Sequence, residues 1–404
     1  MLYFDNNATT RPLPAVAAAM DTAARTLWAN PSSVHRPGQD VRHAVELARS
    51  QAARLINARP RELVMTSGGT ESIELAIRGV LAARPGGVPQ SIVTSAVEHA
   101  AVRDLLETLG SSVEIRLAPL LPGGVIDAAG LGGLIDESTA LVSLQWANNE
   151  TGAIQPVRAA GELCRERRVP LHIDGTQWVG KMPTDFGTGT AGGDAAHDDS
   201  AGAWIDLLTF SPHKFHGPKG VGALAVRRGT ALGAVRPGSQ ELGRRGGTEN
   251  VPGIVGLGAA CEAAQAWLAE PAERERLAAL RDRFEAAVLA AVPAAVVNRP
   301  DAIGEHDRGV RLWNTSSIGF PGIEAEALLL MLSERGVCAS AGAACSSGSL
   351  EPSPVLLAMG IEPRIAHGSV RFSLSRETAE DDIDEAAAVV CRCSSALASA
   401  LPTG

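Results

Sequence analysis

Lysine is nearly missing from this chain. Of its 36 basic residues only Lys181, Lys214 and Lys219 are lysine, and arginine serves everywhere else. Arginine keeps its proton in proteins, whereas a lysine amine can lose it and form a Schiff base, so a lysine that persists in such a background is a candidate for that chemistry. Aromatic residues are sparse at 3%, with a single tyrosine. No stretch approaches the ~18 uninterrupted apolar residues of a membrane span. The opening Met1-Leu2-Tyr3-Phe4-Asp5 lacks the basic stretch and apolar block of a signal peptide. Positive charge is not in surplus either: the formal charge of −9 disfavours nucleic acid or an anionic membrane as partner. Six cysteines (164, 261, 338, 345, 391 and 393) in 404 residues do not make a disulfide framework, so a reducing cytoplasm is the expected setting.

What is present is a soluble composition, 45% apolar and 20% charged, in a chain long enough for two domains. Between about residues 60 and 230, short apolar runs alternate with helical stretches. Strands are expected at 62–66, 91–94, 140–146, 170–173 and 204–210, and helices at 71–83, 98–109 and 159–167. Such alternation predicts an α/β fold, a mainly parallel sheet with helices on both faces and ligands beyond the carboxyl ends of the strands. Near Val251 the texture changes to a long alanine- and leucine-rich helical region broken by Pro271. A strand at 311–320, a helix at 323–334, a strand at 370–375 and a closing helix follow, the last with Thr378 and Asp381 spaced as a capping pair. The expected division is a large domain, 13–251, and a smaller α+β C-terminal domain, 252–404, joined by residues 1–12. The Gly-, Ala- and Asp-rich segment 187–203 reads as a flexible surface insertion.

Four segments carry chemistry. Thr66-Ser67-Gly68-Gly69-Thr70-Glu71 follows a strand and opens a helix, where glycines admit a close ligand and unpaired amides suit a phosphate; the same pattern also makes an ordinary turn. Asp174 ends a nearly apolar strand and faces the ligand edge, where it can pair with a cofactor ring nitrogen or simply cap a helix. Phe210-Ser211-Pro212-His213-Lys214-Phe215-His216-Gly217-Pro218-Lys219 follows the next apolar run and places Lys214 close behind a strand, with Lys219 in a turn beyond. Ala339-Ser340-Ala341-Gly342-Ala343-Ala344-Cys345-Ser346-Ser347-Gly348-Ser349 has almost nothing to pack, which predicts a mobile segment with an exposed cysteine. The other five cysteines have apolar or helical surroundings and read as structural. Cys391 and Cys393 face different ways on a helix, and the histidines have no metal-ligand spacing.

These segments resemble the cysteine desulfurases of the NifS/IscS type within the class V aminotransferase family. The likeness runs from Asp5-Asn6-Asn7-Ala8-Thr9-Thr10 to Arg371-Phe372-Ser373-Leu374-Ser375-Arg376 and is most specific at Cys345-Ser346-Ser347-Gly348-Ser349-Leu350-Glu351-Pro352-Ser353. It implies the pyridoxal 5'-phosphate (PLP)-dependent transferase type I fold, with a seven-stranded sheet in the large domain. It also implies removal of sulfur from L-cysteine to give L-alanine and a persulfide on Cys345, which a sulfur acceptor takes for iron–sulfur cluster assembly or thiolation. Lys214 would form the Schiff base, Asp174 would face the pyridinium, and His99 would stack on the ring and assist proton transfer. Asn149 and Gln177 would bond cofactor oxygens; Gly69, Thr70, Ser211 and His213 would hold the phosphate, with Thr248 supplied by a second subunit of a homodimer. Arg371 would bind the substrate carboxylate, with Asn149 nearby. Pro212 departs from the usual glycine, and Glu74 from a common asparagine. The rival readings are an ordinary class V aminotransferase or selenocysteine lyase, and a non-catalytic scaffold on the same fold. A mobile thiol argues against transamination, and intact Lys214, Asp174 and Cys345 argue against the scaffold.

Overall fold

Short, near-continuous apolar runs form the strands that carry the site, the pattern of a sheet covered on both faces. The computed structural model describes residues 1–86, 88–187, 199–300, 310–341 and 351–400. Seven runs make one sheet: β1 (Leu63–Thr66), β2 (Ser91–Thr94), β3 (Glu114–Leu117), β4 (Thr139–Gln145), β5 (Leu171–Asp174), β6 (Leu207–Phe210) and β7 (Gly222–Val226). Their order is β1-β7-β6-β5-β4-β2-β3, with β7 antiparallel to both neighbours and every other pairing parallel. The carboxyl ends of β1, β2, β4, β5 and β6 therefore share one edge, where ligands bind in such folds.

Alternate residues of each strand point to opposite faces. On one face Val64, Ile92, Leu141, Leu207 and Leu224 pack against Ile73, Ile77 and Val80 of the helix Gly69–Ala83. On the other, Met65, Val93, Val142, Ile173 and Leu208 join a larger core with Val41 and Val45 of Arg36–Leu55 and Leu257 and Ala260 of Val251–Leu268. Two strands went unread in the sequence: β3, an edge strand of alternating polarity, and β7, Gly-Ala-Leu-Ala-Val, whose small residues have weak β preference. The strand expected at 204–210 begins only at Leu207, because Asp199–Trp204 forms a 3₁₀ turn. Residues 188–198 of the expected insertion lie outside the described residues.

A three-stranded antiparallel sheet, Val296–Val297, Thr315–Gly319 and Ser369–Ser373, forms the C-terminal part with the helices Pro271–Ala291, Ala325–Glu334 and Glu380–Ala400. The middle strand is shorter than the 311–320 expected. The cap of the last helix also differs: Asp382, not Asp381, accepts from Ala379 N at 2.9 Å, while Thr378 Oγ1 accepts from Ser375 N at 3.0 Å. The chain start joins this part, since Leu2–Tyr3 pairs in parallel with Val337–Cys338 and Asp5 bridges Ser373. Residues 5–10 then cross to the turn after β6, where Thr10 N donates to His213 O at 2.8 Å.

Two buried carboxylates, each paired with arginine, fix the loop from Arg236 to Gly247 on this frame. Arg49 donates through both terminal nitrogens to Glu241 at 2.7 and 2.9 Å, and Glu241 Oε2 also accepts from Met65 N in β1. Glu71, in the first turn of the helix after β1, accepts from Arg236, Arg245 and Ser67 N. Burial alone would raise the Glu71 carboxyl, but the bonds from Arg245 and Ser67 outweigh it and hold the group at about 2. Its ordinary value is 4.5, so its contribution to stability is complete above that pH and is lost as the pH falls toward 2. Glu71→Gln is therefore expected to lower the urea midpoint at pH 7, with the difference from the parent shrinking steadily as the pH falls from 4.5 to 2; a pH-independent difference would show that the pair's charge is irrelevant.

Candidate active site

Each expected segment ends at the shared edge of the sheet. After β1 the helix Gly69–Ala83 presents its N-terminus, and a Cβ added to Gly69 would lie 3.2 Å from Thr176 Oγ1 and 3.8 Å from Ser211 Cβ. The glycine turn, the segment after Asp174 and the segment before Lys214 thus converge on one small hollow. The backbone makes this approach possible because Gly222 of β7 passes directly against Gly68, where a Cβ would meet the Gly68 carbonyl carbon at 2.6 Å.

Asp174 closes β5, and its Oδ1 accepts from Thr176 N at 3.0 Å, so it shapes its own turn and caps no helix. His99 precedes the helix Ala100–Glu107 and does act as a cap, its Nδ1 accepting from Ala101 N at 3.1 Å. Burial depresses the His99 imidazole, Asp174 opposes this, and Lys214 adds to it, which places all three within electrostatic reach. The carboxyl before it, Glu98, is wholly buried and pushed up to about 8, chiefly by burial, with Ser95 Oγ donating to it.

Lys214 lies in the short turn Pro212–Lys214 after β6, where Pro212 takes the first position and so needs no N–H of its own. Its Nζ donates to Asn7 O at 2.7 Å and Ala8 O at 2.8 Å. The His213 ring approaches Thr9 Oγ1 at 3.2 Å, and burial, then Lys214 and the other lysines, lowers it to about 3, so it is neutral near pH 7. Lys219 is exposed in the turn beyond, as expected. Ser211 Oγ reaches Val221 O only at 3.5 Å, leaving it close to the Gly69 hollow.

Arg371 is not a surface arginine. It is 2% exposed in the C-terminal sheet, with Nη2 on Asp5 Oδ1 at 2.7 Å and Nη1 on Asn149 O at 3.1 Å. Asn149 accordingly uses its carbonyl on Arg371, while its side-chain Oδ1 is buried with no partner among the described residues. Thr176 Oγ1 is in the same condition. Gln177 is engaged within the protein, donating to Asn7 O at 3.0 Å and accepting from Lys181 at 2.7 Å. Thr70 and Thr248 are exposed, and their side chains make no hydrogen bond among the described residues. Cys345 lies outside the described residues; on either side of its segment Ser340 is bridged to Arg371, and Ser353 Oγ donates to Glu150 Oε2 at 2.7 Å.

Sequence reasoning assigned no role to Asn7 or Lys181, although both stood in view, one in the quoted N-terminal stretch and one as a rare lysine. Asn7 is 1% exposed and uses every polar atom it has. Its N donates to Ser373 Oγ, its O accepts from Lys214 and Gln177, its Oδ1 accepts from Lys181 and Asn314, and its Nδ2 donates to Asn149 O and Thr315 Oγ1. Two lysines, an arginine-bearing carbonyl and two partners from the C-terminal sheet thus meet on one side chain and its backbone.

The family described as Aminotransferase class-V matches residues 2–386. Cysteine desulfurase 2 of Trichormus variabilis is 44% identical over 391 residues, covering 95% of this chain and 91% of that protein. Cysteine desulfurase NifS of Azotobacter vinelandii is 41% identical over 386 residues, covering 95% and 90%. Among solved structures a NifS-like protein superposes with a TM-score of 0.86 at 32% identity, covering 98% of this chain and all of that one.

Asn7→Ala is expected to destabilise the protein by about 3 kcal/mol, because it strands Lys181, Asn314 and the Asn149 carbonyl in a buried site. Denaturant unfolding measures this, and a loss below about 0.5 kcal/mol, the level of a surface substitution, would deny Asn7 its role.

Proposed function

The chain belongs to the class V aminotransferase family, and from that premise we infer that it is a cysteine desulfurase, using pyridoxal phosphate to move sulfur from L-cysteine onto Cys345 with L-alanine as product. The observation that carries this reading is the meeting of Lys214, Asp174, His99, Asn149 and Arg371 at one edge of the sheet, in a chain similar over 95% of its length to curated cysteine desulfurases. The residues present fit the cofactor. Gly69 leaves a hollow at a helix N-terminus suited to a phosphate, and Thr176 Oγ1 and Asn149 Oδ1 are buried polar atoms in want of a partner. Gly69, Thr70, Ser211 and His213 would hold the phosphate, Asp174 the ring nitrogen, and Asn149 and Gln177 the ring oxygens through their amide nitrogens, Gln177 with the hydrogen that it does not give to Asn7 O.

When bound, pyridoxal phosphate supplies an electron sink that lets the Cα–H bond of the substrate break. Lys214 Nζ, close behind β6, takes that proton, and His99, neutral through burial, can accept or return one at its ring nitrogen. Arg371 fixes the substrate carboxylate through its planar fork, kept in orientation by Asp5 and the Asn149 carbonyl. The Cys345 thiolate attacks the substrate sulfur: an S–S bond forms, the substrate Cβ–S bond breaks with its electron pair passing to the carbon fragment, which takes up protons at Cβ and Cα to leave as alanine, and the sulfur remains on the protein for an acceptor. Iron–sulfur cluster assembly is the destination we propose for it. The five described cysteines form no disulfide, and no described helix is long and apolar enough to cross a membrane, which supports placing the enzyme in the cytoplasm.

A homodimer, and the domain division at 251/252, are part of the same proposal. Trp28, Val34 and Leu242 are 79%, 89% and 70% exposed, and Leu242 adopts a left-handed backbone (φ 59°) next to the residue that pairs with Arg49. Large apolar side chains held out in water suit a second copy, and Thr248 is exposed on the same loop. Trp28→Glu is expected to shift the protein toward monomer in sedimentation analysis; an unchanged dimer would move the interface elsewhere.

Borohydride reduction followed by peptide mass analysis is expected to find the cofactor on Lys214. Cys345→Ser should keep the visible colour yet lose alanine and sulfide release by about three orders of magnitude, whereas Lys214→Ala should lose the covalent cofactor and turnover together. A Cys345→Ser protein with full turnover of cysteine would instead indicate a lyase or aminotransferase that needs no protein thiol.

A further inference from the structure

Buried cations in this protein are matched with carboxylates: Arg49 with Glu241, Arg311 with Glu285, Arg371 with Asp5. Among the described residues Lys181 is the exception. It is 4% exposed, and among the described residues no carboxylate lies within ion-pair distance. Its Nζ meets only neutral amide oxygens, Asn7 Oδ1 at 2.8 Å and Gln177 Oε1 at 2.7 Å. Asn7 offers its backbone carbonyl to Lys214 at the same time, so two of the three lysines in the chain are joined through one residue. Both also line a crevice shared with Thr10, His216, Trp267 and Arg376, none of them acidic.

A buried charge with no counter-ion is costly, and a lysine can escape that cost by giving up its proton, as arginine cannot. The chain substitutes arginine for lysine almost everywhere, which makes lysine at this position informative. We infer that Lys181 is a positioning residue that works as an uncharged amine, tying Gln177 to Asn7 so that the Asn7 carbonyl is held in place for Lys214. This rests on reading Lys214 as the cofactor-bearing lysine. The groups around the pair are consistent with it. Burial, then Lys214, then Arg371 push the Lys181 ammonium well below its ordinary range. Lys214 also faces His213 in its own turn, and His99 and Asp174 across the edge of the sheet, while His216 and Arg376 border the crevice. A fixed second cation here would oppose proton uptake at Lys214; an uncharged amine supplies two hydrogen bonds without that effect.

The test is the pH titration of the visible absorbance of the holoenzyme, with dialysis to follow cofactor release. Lys181→Met is expected to leave the titration midpoint within about 0.3 unit of the parent, because no charge is removed. It should also release cofactor about tenfold faster, because Gln177 and Asn7 lose their tie. Lys181→Arg, which cannot shed its proton, should lower the midpoint by about 1 unit. If Lys181 were charged, the pattern would reverse, with Lys181→Met raising the midpoint by about 1 unit and Lys181→Arg leaving it unmoved; that result, or an unchanged release rate, overturns the inference. Should Lys181→Arg fail to fold, Lys181→Met alone decides. A parent protein with no visible band at all would sink the cofactor reading instead, a separate outcome.

Discussion

The crossing of residues 5–10 between the C-terminal sheet and the lysine turn is the constraint on which the site depends, and Asn7 is its centre. A buried amide with every donor and acceptor matched is rigid, because moving it in any direction breaks a bond that nothing nearby can replace. Three parts of the protein are thereby placed relative to one another: the turn after β6 through Lys214, the segment after β5 through Gln177 and Lys181, and the C-terminal sheet through Asn314, Thr315 and Ser373. Asp5, two residues earlier, adds Arg371 to the same strap. The Lys214 amine and the Arg371 guanidinium, proposed to act on one small substrate, are thus spaced by a few residues of backbone and not by the looser packing of two sheets.

The phosphate hollow depends on a different pair of interactions. Glu71 and Glu241 draw Arg245, Arg236 and Arg49 to the first turn of the helix after β1 and to β1 itself. A buried ion pair adds little net stability over an apolar pair, yet it is costly to break and demanding in geometry, which suits it to fixing a loop in one position. The loop that carries Thr248 is held this way, close to a helix start whose unpaired amides the proposed phosphate would take.

The α/β architecture was legible because buried strands announce themselves as apolar runs with a polar residue at the end: β5 reads Leu-His-Ile-Asp, and the aspartate is where the chemistry was sought. β7 was not legible, since Gly222 is required by a close backbone approach to Gly68 and not by any strand preference, and such approaches exist only in three dimensions. Lys214 and Asp174 could be singled out because the chemistry proposed for them requires particular residue types behind particular strands. Asn7 and Gln177 could not be joined in the same way: an asparagine near the chain start has no pattern until folding closes a separation of 170 residues and brings its carbonyl to the Gln177 amide. Arg371 shows the difference most plainly, one arginine among 33 in the sequence and a buried, acid-paired group in the fold.

The electrostatics of the site follow from which groups burial leaves charged. Glu98, pushed up to about 8, is protonated at neutral pH, and Glu150 is raised by burial as well. His172, enclosed between Ser143 and Thr209 and lowered to about 4, is neutral, as is His213. An uncharged Lys181 completes the set. Glu98, His172, His213 and Lys181 thus add no fixed charge near the proposed site, where a substrate arriving with its own carboxylate and amine would meet Asp174, Lys214 and the Arg371–Asp5 pair. The protein has used burial to silence the groups that serve only for hydrogen bonding, and has kept charge where the substrate or cofactor can answer it.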